Sequence, residues 1–123
     1  MGRIEDVLFK VAIDLSPVAH AKVAAAIVYK GKIISVGWNS YKTHPLQKHY
    51  RRNPLSTFLH AEIDAIIKAK RTGVDLSECV LYVMRVKKSN GQWTTGLAKP
   101  CDGCARAISD LKIGNVVYSE ENV

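Results

Sequence analysis

Two short clusters of polar residues have the types and spacing of a metal site with a proton carrier beside it. They are HAE at residues 60–62 and CDGC at residues 101–104. Cysteines three positions apart at a helix start lie on the same side of the first turn, so both sulfurs can bind one ion. The N–H groups and dipole of a helix start favour the thiolate form that a metal requires. The pattern therefore predicts a metal site with the ligands His60, Cys101 and Cys104.

One histidine and two cysteines are typical of a catalytic zinc site. Three protein ligands leave the fourth tetrahedral position for water, whose pKa falls to about 7 when zinc binds it. Glu62 lies two residues after His60, so on a helix it points to a different flank and need not compete for the metal. Glu62 is therefore the candidate catalytic residue that moves protons.

Three other interpretations of these residues stay open at the level of sequence. The Cys-x-x-Cys spacing is shared by redox pairs. A fourth ligand from His44 or His49 would close the metal site and make it structural. The chain could also be a catalytically silent, zinc-binding nucleic-acid module. Glu62 argues against this last interpretation, because a structural site has no use for an acid beside an open ligand position.

Composition favours one soluble domain over residues 1–123, with a cytoplasmic location. Hydrophobic residues make up 47% and charged residues 24% of the chain, and no apolar run approaches the roughly 18 residues of a membrane span. Three cysteines are too few for a disulfide framework and suit a reducing compartment. The formal net charge of +7 favours anionic partners such as nucleotides or nucleic acid.

The elements expected to position the two clusters alternate between helices and strands. In chain order they are a helix over 4–15, strands over 23–29 and 33–38, a loop over 39–56, a helix over 57–71, a strand over 80–86, a hairpin over 87–99, a helix over 101–111 and a strand over 115–118. This order predicts an α/β fold with a mixed sheet, in which the first two strands are antiparallel and the rest mainly parallel. Because parallel strands lead into helices at one edge of a sheet, the two clusters can meet there.

At these residues the chain resembles the cytidine deaminase superfamily, over roughly residues 21–119. The H-x-E and P-C-x-x-C signature is that of zinc nucleobase deaminases. The matching segments are VAAAIVYKGKIISVGWN, HAEIDAI, LYV, PCDGCARAI and IGNVVYS. The likeness is greatest to deoxycytidylate deaminases and bacterial tRNA adenosine deaminases. It implies a three-layer α/β/α fold, a Zn²⁺ cofactor and hydrolytic loss of ammonia from a base.

The resemblance also assigns roles to individual residues. The three metal ligands named above match the zinc ligands of the family, and Glu62 matches its proton shuttle. Asn39, in the segment GWN, matches an asparagine that holds the nucleotide sugar, although a turn residue would explain it almost as well. Ala61 corresponds to a position whose backbone contacts the base. Both are therefore candidate substrate-binding residues.

The loop before the second long helix bears on the choice of substrate. Its basic residues are Lys42, His44, Lys48, His49, Arg51 and Arg52. The resemblance implies phosphate contact in this region, which Lys42, Arg51 and Arg52 suit. The first choice is a small-molecule cytosine nucleotide such as dCMP or CMP, with zinc-bound hydroxide attacking C4 and ammonia leaving. The alternative is adenosine or cytidine in tRNA or single-stranded nucleic acid, which Tyr41 and Tyr50 would help to bind by stacking. A solvated basic loop explains the charges nearly as well.

Two departures from the family pattern affect this transfer of roles. Asp64 stands where deoxycytidylate deaminases usually carry asparagine, and residues 87–99 form an insertion before Pro100. The inserted hairpin, with Trp93 near its tip, could cover a sheet edge, rim the pocket or join subunits. Relatives are generally dimers or larger, so a homo-oligomer with no membrane partner is expected.

Overall fold

A computed structural model describes residues 2–51 and 58–121 of the chain. Its elements are α1 (Arg3–Leu15), β1 (Lys22–Tyr29), β2 (Lys32–Trp38), α2 (Pro45–His49), α3 (Ala61–Lys70), a 3₁₀ turn (Leu76–Glu78), β3 (Cys79–Ser89), β4 (Gln92–Gly96), α4 (Asp102–Asp110) and β5 (Asn115–Tyr118). The predicted α/β class is confirmed, and every predicted strand is present. No helix in the described ranges is long and apolar enough to cross a membrane.

The five strands form one mixed sheet around β3. β1 pairs with β2 and with β3, in both cases antiparallel. β1 occupies one edge of β3. The other edge of β3 is shared by two strands: β5 pairs with residues 80–83 and β4 with residues 85–89. Among the strand pairs of the described residues, β3–β5 alone is parallel. The expectation that the later strands are mainly parallel is therefore right for β5. It is wrong for β3, which pairs antiparallel with β1, and for β4, because a tight hairpin returns antiparallel.

Alternating residues of the central strands build a core on each face of the sheet. Leu81 and Val83 of β3 face the core that α3 and α4 cover, whereas Met84 and Val86 face the core that α1 covers. Both cores also take residues from β1, which explains its continuous apolar sequence: a strand buried on both faces has no polar side. The predicted three-layer α/β/α arrangement is confirmed.

The region predicted as a loop over 39–56 contains the short helix α2. Pro45 occupies the first helical turn, where its missing N–H costs nothing, and His44 Nδ1 accepts a hydrogen bond from the Leu46 N–H at 3.0 Å. The helix predicted from Thr57 begins instead at Ala61, because Phe58 forms a β-bridge with Thr43. Thr57 itself, like the rest of residues 52–57, lies outside the described residues.

The inserted hairpin is confirmed and extends the sheet. Asn90 and Gly91 both have positive φ angles, 52° and 78°, which is the backbone form that a two-residue Asn-Gly turn requires. β4 then runs back along β3 from Gln92 to Gly96. After Gly96, residues 97–99 line a cleft beside the candidate metal ligands. The insertion therefore both lengthens the sheet edge and rims the cleft.

Candidate active site

The N-termini of α3 and α4 bring the two sequence clusters together. His60 is the N-cap residue of α3, and Cys101 is the N-cap residue of α4. His60 Nδ1 lies 3.3 Å from Cys104 Sγ and 3.6 Å from Cys101 Sγ. All three ligand atoms lie within 4.8 Å of one another. Residues 41 positions apart in sequence thus form one cluster.

The separations within this cluster fit a tetrahedral zinc ion. Zinc–sulfur bonds of about 2.3 Å and zinc–nitrogen bonds of about 2.0 Å place the sulfur and nitrogen corners of a tetrahedron roughly 3.6 Å apart. The two measured nitrogen–sulfur distances, 3.3 and 3.6 Å, match that edge. Among the described residues the metal-binding group consists of His60, Cys101 and Cys104, so neither His44 nor His49 joins it as a fourth ligand.

The hydrogen bond between the two thiols shifts their pKa values in opposite directions. The hydrogen bond from the Cys104 thiol, with a further contribution from His60, lowers the pKa of Cys101 to about 3. The same hydrogen bond, together with burial, raises the pKa of Cys104. Cys101 is therefore a thiolate at neutral pH, the form that binds a metal, and Cys104 must release its proton when the metal enters.

Two glycines permit the close backbone approaches that position these helix starts. A Cβ atom on Gly37 would lie 2.6 Å from the Ala61 carbonyl oxygen, so β2 can pack this closely on α3 only without a side chain there. A Cβ atom on Gly103 would overlap the Tyr50 carbonyl oxygen. Gly103, between the two cysteines, thus lets the first turn of α4 lie directly against the chain at Tyr50.

Hydrogen bonds from neighbouring elements hold the start of α3. The fully buried Gln47 of α2 accepts the His60 backbone N–H through Oε1 at 2.9 Å. Asp64 Oδ2 accepts the Trp38 backbone N–H at 3.1 Å, and it also forms an ion pair with Lys68. The carboxylate that replaces the family asparagine therefore ties the end of β2 to α3.

Glu62 is buried beside the metal ligands. Only 6% of its surface is exposed, and burial raises the pKa of its carboxyl group, although a backbone hydrogen bond opposes this. Glu62, His60 and Cys101 all line one cleft of about 300 Å³. A carboxyl group with a raised pKa next to a metal site is suited to carrying a proton.

Two of the residues predicted to bind the substrate lie in the cleft. Asn39 and Ala61 line the cleft. The Asn39 side chain is held in place: its Oδ1 accepts from Ser16 Oγ and from the Val23 N–H, and its Nδ2 donates to the Ala21 carbonyl. Among the described residues, Nδ2 thus uses one of its two hydrogens, and the other can be donated to a ligand. The predicted roles of Asn39 and Ala61 stay predictions.

The basic residues predicted to bind phosphate are not those that line the cleft. Neither Lys42 nor Arg51 is among the described lining residues, and Arg52 lies outside the described residues. The cations of the lining are instead Arg85 and Lys99. Sequence reasoning missed both, because it considered residues 87–99 as a whole without assigning Lys99 a role and treated Arg85 only as part of a strand. The alternation of β3, which puts Arg85 on the same face as Val83, could have found Arg85.

Comparison with known proteins agrees with this geometry. Residues 5–120 match the sequence profile described as the cytidine and deoxycytidylate deaminase zinc-binding region. The chain belongs to this deaminase family. The matched region of the family is zinc-binding, and the cluster of His60, Cys101 and Cys104 is where this chain can hold zinc. No curated protein sequence matches the chain.

Several solved structures resemble this chain. The dCMP deaminase of the cyanophage S-TIM5 has a TM-score of 0.60 at 22% identity, covering 99% of this chain and 87% of that chain. Cytidine deaminase from Burkholderia pseudomallei has a TM-score of 0.55 at 22% identity, covering 93% and 78%. Guanine deaminase from Bacillus subtilis is 29% identical with a TM-score of 0.49, and the match covers 80% of this chain but 50% of that chain. The first two likenesses support the fold.

Proposed function

We propose that this protein is a zinc-dependent hydrolase that removes the amino group from the base of a cytosine nucleotide of the dCMP or CMP type. The observation that carries the proposal is a cleft lined by two of the three zinc ligands, His60 and Cys101, by the buried carboxyl of Glu62 and by two cations. Its volume of about 300 Å³ suits a small molecule. The cyanophage protein with this fold was solved in complex with dCMP and dUMP, which supports the nucleotide class.

The residues of the cleft divide the chemistry among them. His60, Cys101 and Cys104 would hold the zinc, which would supply a water molecule of lowered pKa. Glu62 takes up the proton that this water loses and delivers it to the departing amino group. One C–O bond forms at C4 of the base, the C–N bond breaks, and the amino group leaves as ammonia. Ala61 and Asn39 are proposed to orient the base and the sugar.

A second candidate is deamination of a base within a nucleic-acid strand. Tyr41 and Phe58 form an edge-to-face pair with ring centroids 5.6 Å apart, and each is 55% exposed. Exposed aromatic rings beside a basic segment suit stacking of single-stranded bases. This observation keeps tRNA or single-stranded substrates as the alternative. The predicted homo-oligomer and cytoplasmic location likewise stay predictions.

The proposal is tested by incubating the zinc-loaded protein with dCMP, CMP, deoxycytidine and short oligonucleotides, and identifying products by mass spectrometry. We expect dCMP or CMP to be converted to the uracil nucleotide with release of ammonia. Glu62→Gln is the matched control: it keeps the shape of the side chain and should retain zinc, while the rate of ammonia release falls by about a hundredfold or more. Conversion of oligonucleotides but not of mononucleotides would contradict the substrate, and equal rates for Glu62→Gln would remove Glu62 from the mechanism.

A further inference from the structure

We propose that the catalytic cleft continues into a basic groove beside the inserted hairpin, and that this groove binds the phosphate groups of the substrate nucleotide, with affinity increasing from one phosphate to three. The inference rests on the proposed function and extends it to the substrate's phosphate chain. We call this space the hairpin groove. Its lining includes Lys22, Arg85, Lys87, Lys88 and Trp93.

Arg85 connects the hairpin groove with the catalytic cleft. It lines both spaces, and it is the only residue of the described chain that lines both. On β3 it follows Leu81 and Val83 on the face covered by α3, and in the sheet it lies between Val23 of β1 and Gly96 of β4. Val23 also lines the catalytic cleft. Arg85 is therefore the residue at which the catalytic cleft and the hairpin groove meet.

Gly96 on the inserted hairpin makes room for the Arg85 side chain. A Cβ atom added to Gly96 would lie 3.2 Å from Arg85 Cδ and 3.3 Å from its Cγ. These separations are tight for carbon atoms, so the arginine stem lies directly across the glycine. The hairpin therefore holds Arg85 in place as well as forming one wall of the groove.

The guanidinium group of Arg85 has a hydrogen-bond donor to offer. Its Nε is buried and has no hydrogen-bond partner among the described residues. Leaving a buried donor unpaired is unfavourable, and a ligand that accepts from it would remove this cost. Phosphate oxygens are acceptors that match the planar fork of arginine.

The rest of the groove is cationic. Lys22, Lys87 and Lys88 line it together with Arg85, and none of its described lining residues is acidic. Lys87 is paired with Glu121, outside the lining, which leaves Lys22 and Lys88 with no carboxylate partner in the described salt bridges. Lys99 adds a further cation at the rim of the catalytic cleft. More than one phosphate can therefore be neutralised along the groove.

The arrangement of Trp93 favours a phosphate chain over a neighbouring nucleotide. The ammonium groups of Lys88 and Lys22 lie 5.0 and 5.9 Å from the centre of the Trp93 ring. Cations over the ring occupy the surface on which a base would stack. The groove thus presents positive charge rather than an aromatic platform, which suits a free nucleoside polyphosphate.

The test measures binding of product nucleotides, which are not turned over, to the zinc-loaded protein by isothermal titration calorimetry. We expect the dissociation constant to fall in the order deoxyuridine, dUMP, dUDP, dUTP. Arg85→Gln should weaken dUMP binding about tenfold or more and leave deoxyuridine binding nearly unchanged. Lys88→Ala should reduce the preference for dUTP over dUMP. Arg71→Gln, at the opposite end of α3 from the metal site, is the matched control and should bind all four ligands as the unmodified protein does.

Two results would overturn the inference. The first is equal affinity for the four ligands, and the second is equal weakening by Arg85→Gln and Arg71→Gln. Tighter binding of a short oligonucleotide than of dUTP, lost in Lys88→Ala, would assign the groove to a strand and also refute it. If Arg85→Gln does not fold, Gly96→Ala should weaken dUMP binding by displacing the arginine stem. A failure of the proposed function can be told apart from a failure of this inference. If dUTP binds in a manner that depends on Arg85 but dCMP is not turned over, the proposed reaction is refuted while phosphate binding in the hairpin groove is supported.

Discussion

Before any metal binds, the thiols of Cys101 and Cys104 differ in their readiness to ionise. Cys101 begins α4, where the Cys104 thiol donates to it and lowers its pKa to about 3. Cys104 is fully buried and keeps its proton. The metal-free site thus already carries one negative charge directed at the imidazole of His60. Metal affinity should therefore depend on both sulfurs. It should decrease as the pH is lowered, because protons then compete with the metal for the sulfurs.

Replacing one sulfur by a hydroxyl should remove the metal. We expect Cys101→Ser to reduce bound zinc from about one ion per chain to nearly none, because serine does not ionise at neutral pH and is a poor zinc ligand. Elemental analysis of the purified protein measures the change. Cys79→Ser is the matched control, since Cys79 is buried at the start of β3, outside the metal-binding cluster. A full complement of zinc in Cys101→Ser would disprove the ligand assignment.

At the scale of elements, the site is made by two helices that begin at the same place. α3 packs on β2 at Gly37, and the first turn of α4 packs on the chain at Tyr50 through Gly103. α2, which precedes Tyr50, also contacts His60 through Gln47. The short helix therefore supports both helix starts, one through a side-chain hydrogen bond and the other through backbone contact.

A side chain at position 103 should separate α4 from Tyr50. Because the added Cβ of Gly103→Ala would overlap the Tyr50 carbonyl oxygen, the first turn of α4 must shift and carry Cys104 away from His60. We expect the free energy of unfolding to fall by roughly 1–3 kcal/mol, together with weaker zinc binding. Urea denaturation measures the first effect and a zinc-indicator titration the second. Ala105→Ser, at an exposed position of the same helix, should change neither; unchanged zinc affinity in Gly103→Ala would show that the contact does not position Cys104.

The contact between Tyr50 and α4 should give the stability a distinctive pH dependence. The Tyr50 hydroxyl donates to Asp110 Oδ2 at 3.0 Å, and burial, with this hydrogen bond, raises the pKa of Tyr50 above its ordinary value of 10.0. A raised pKa means that the folded state binds the phenolic proton more tightly than the unfolded state. The contribution of the protonated Tyr50 hydroxyl to the free energy of unfolding is therefore complete below about pH 10. It is lost as the pH rises through the folded-state pKa of Tyr50.

We expect Tyr50→Phe to lower the free energy of unfolding by about 1 kcal/mol at pH 7. The difference from the unmodified protein should shrink above pH 10, where the tyrosine of the unfolded state ionises. Urea denaturation at a series of pH values measures this. Tyr41→Phe, at an exposed tyrosine outside this contact, is the control and should show no such dependence. A constant difference across the pH series would rule out the hydrogen bond as its cause.

At the scale of the whole molecule, the metal site joins parts of the fold that otherwise share few contacts. α3 packs mainly on β1 and β2, whereas the start of α4 reaches the core through Cys104 and Ala107. The zinc ligands come from both helices, so a bound ion acts as a cross-link on one face of the sheet. Ligands that bind only the folded state increase its stability by mass action.

Removing zinc should consequently lower the thermal stability. We expect a chelator to reduce the Tm of the zinc-loaded protein, and added zinc to restore it, because without the metal the two helix starts lose the bonds that the ion makes to His60, Cys101 and Cys104 together. Differential scanning calorimetry measures the shift. Cys101→Ser, which lacks a ligand, should have the same Tm with and without chelator. A Tm of the unmodified protein that does not respond to chelator would contradict this role.

Local patterns in the sequence determined the elements and the chemistry of the site. Short-range rules of spacing and backbone geometry predicted three features that the structure has. These are the helix α1, from the helical spacing of its apolar residues, the Asn90–Gly91 turn, and residues 115–118 of β5. The ligand types of the site follow from His60 and the Cys-x-x-Cys spacing, because few residue types bind zinc and a helix start places both sulfurs together.

Only the tertiary structure decided which residues surround that site. Arg85 is 25 positions from His60 in the printed sequence and looks like an ordinary strand residue until the register with Val23 and Gly96 puts it in the cleft. Lys42 and Arg51, close to His60 along the chain, do not line it. Sheet register and helix packing are set by contacts between distant segments, and no local pattern of residues contains that information.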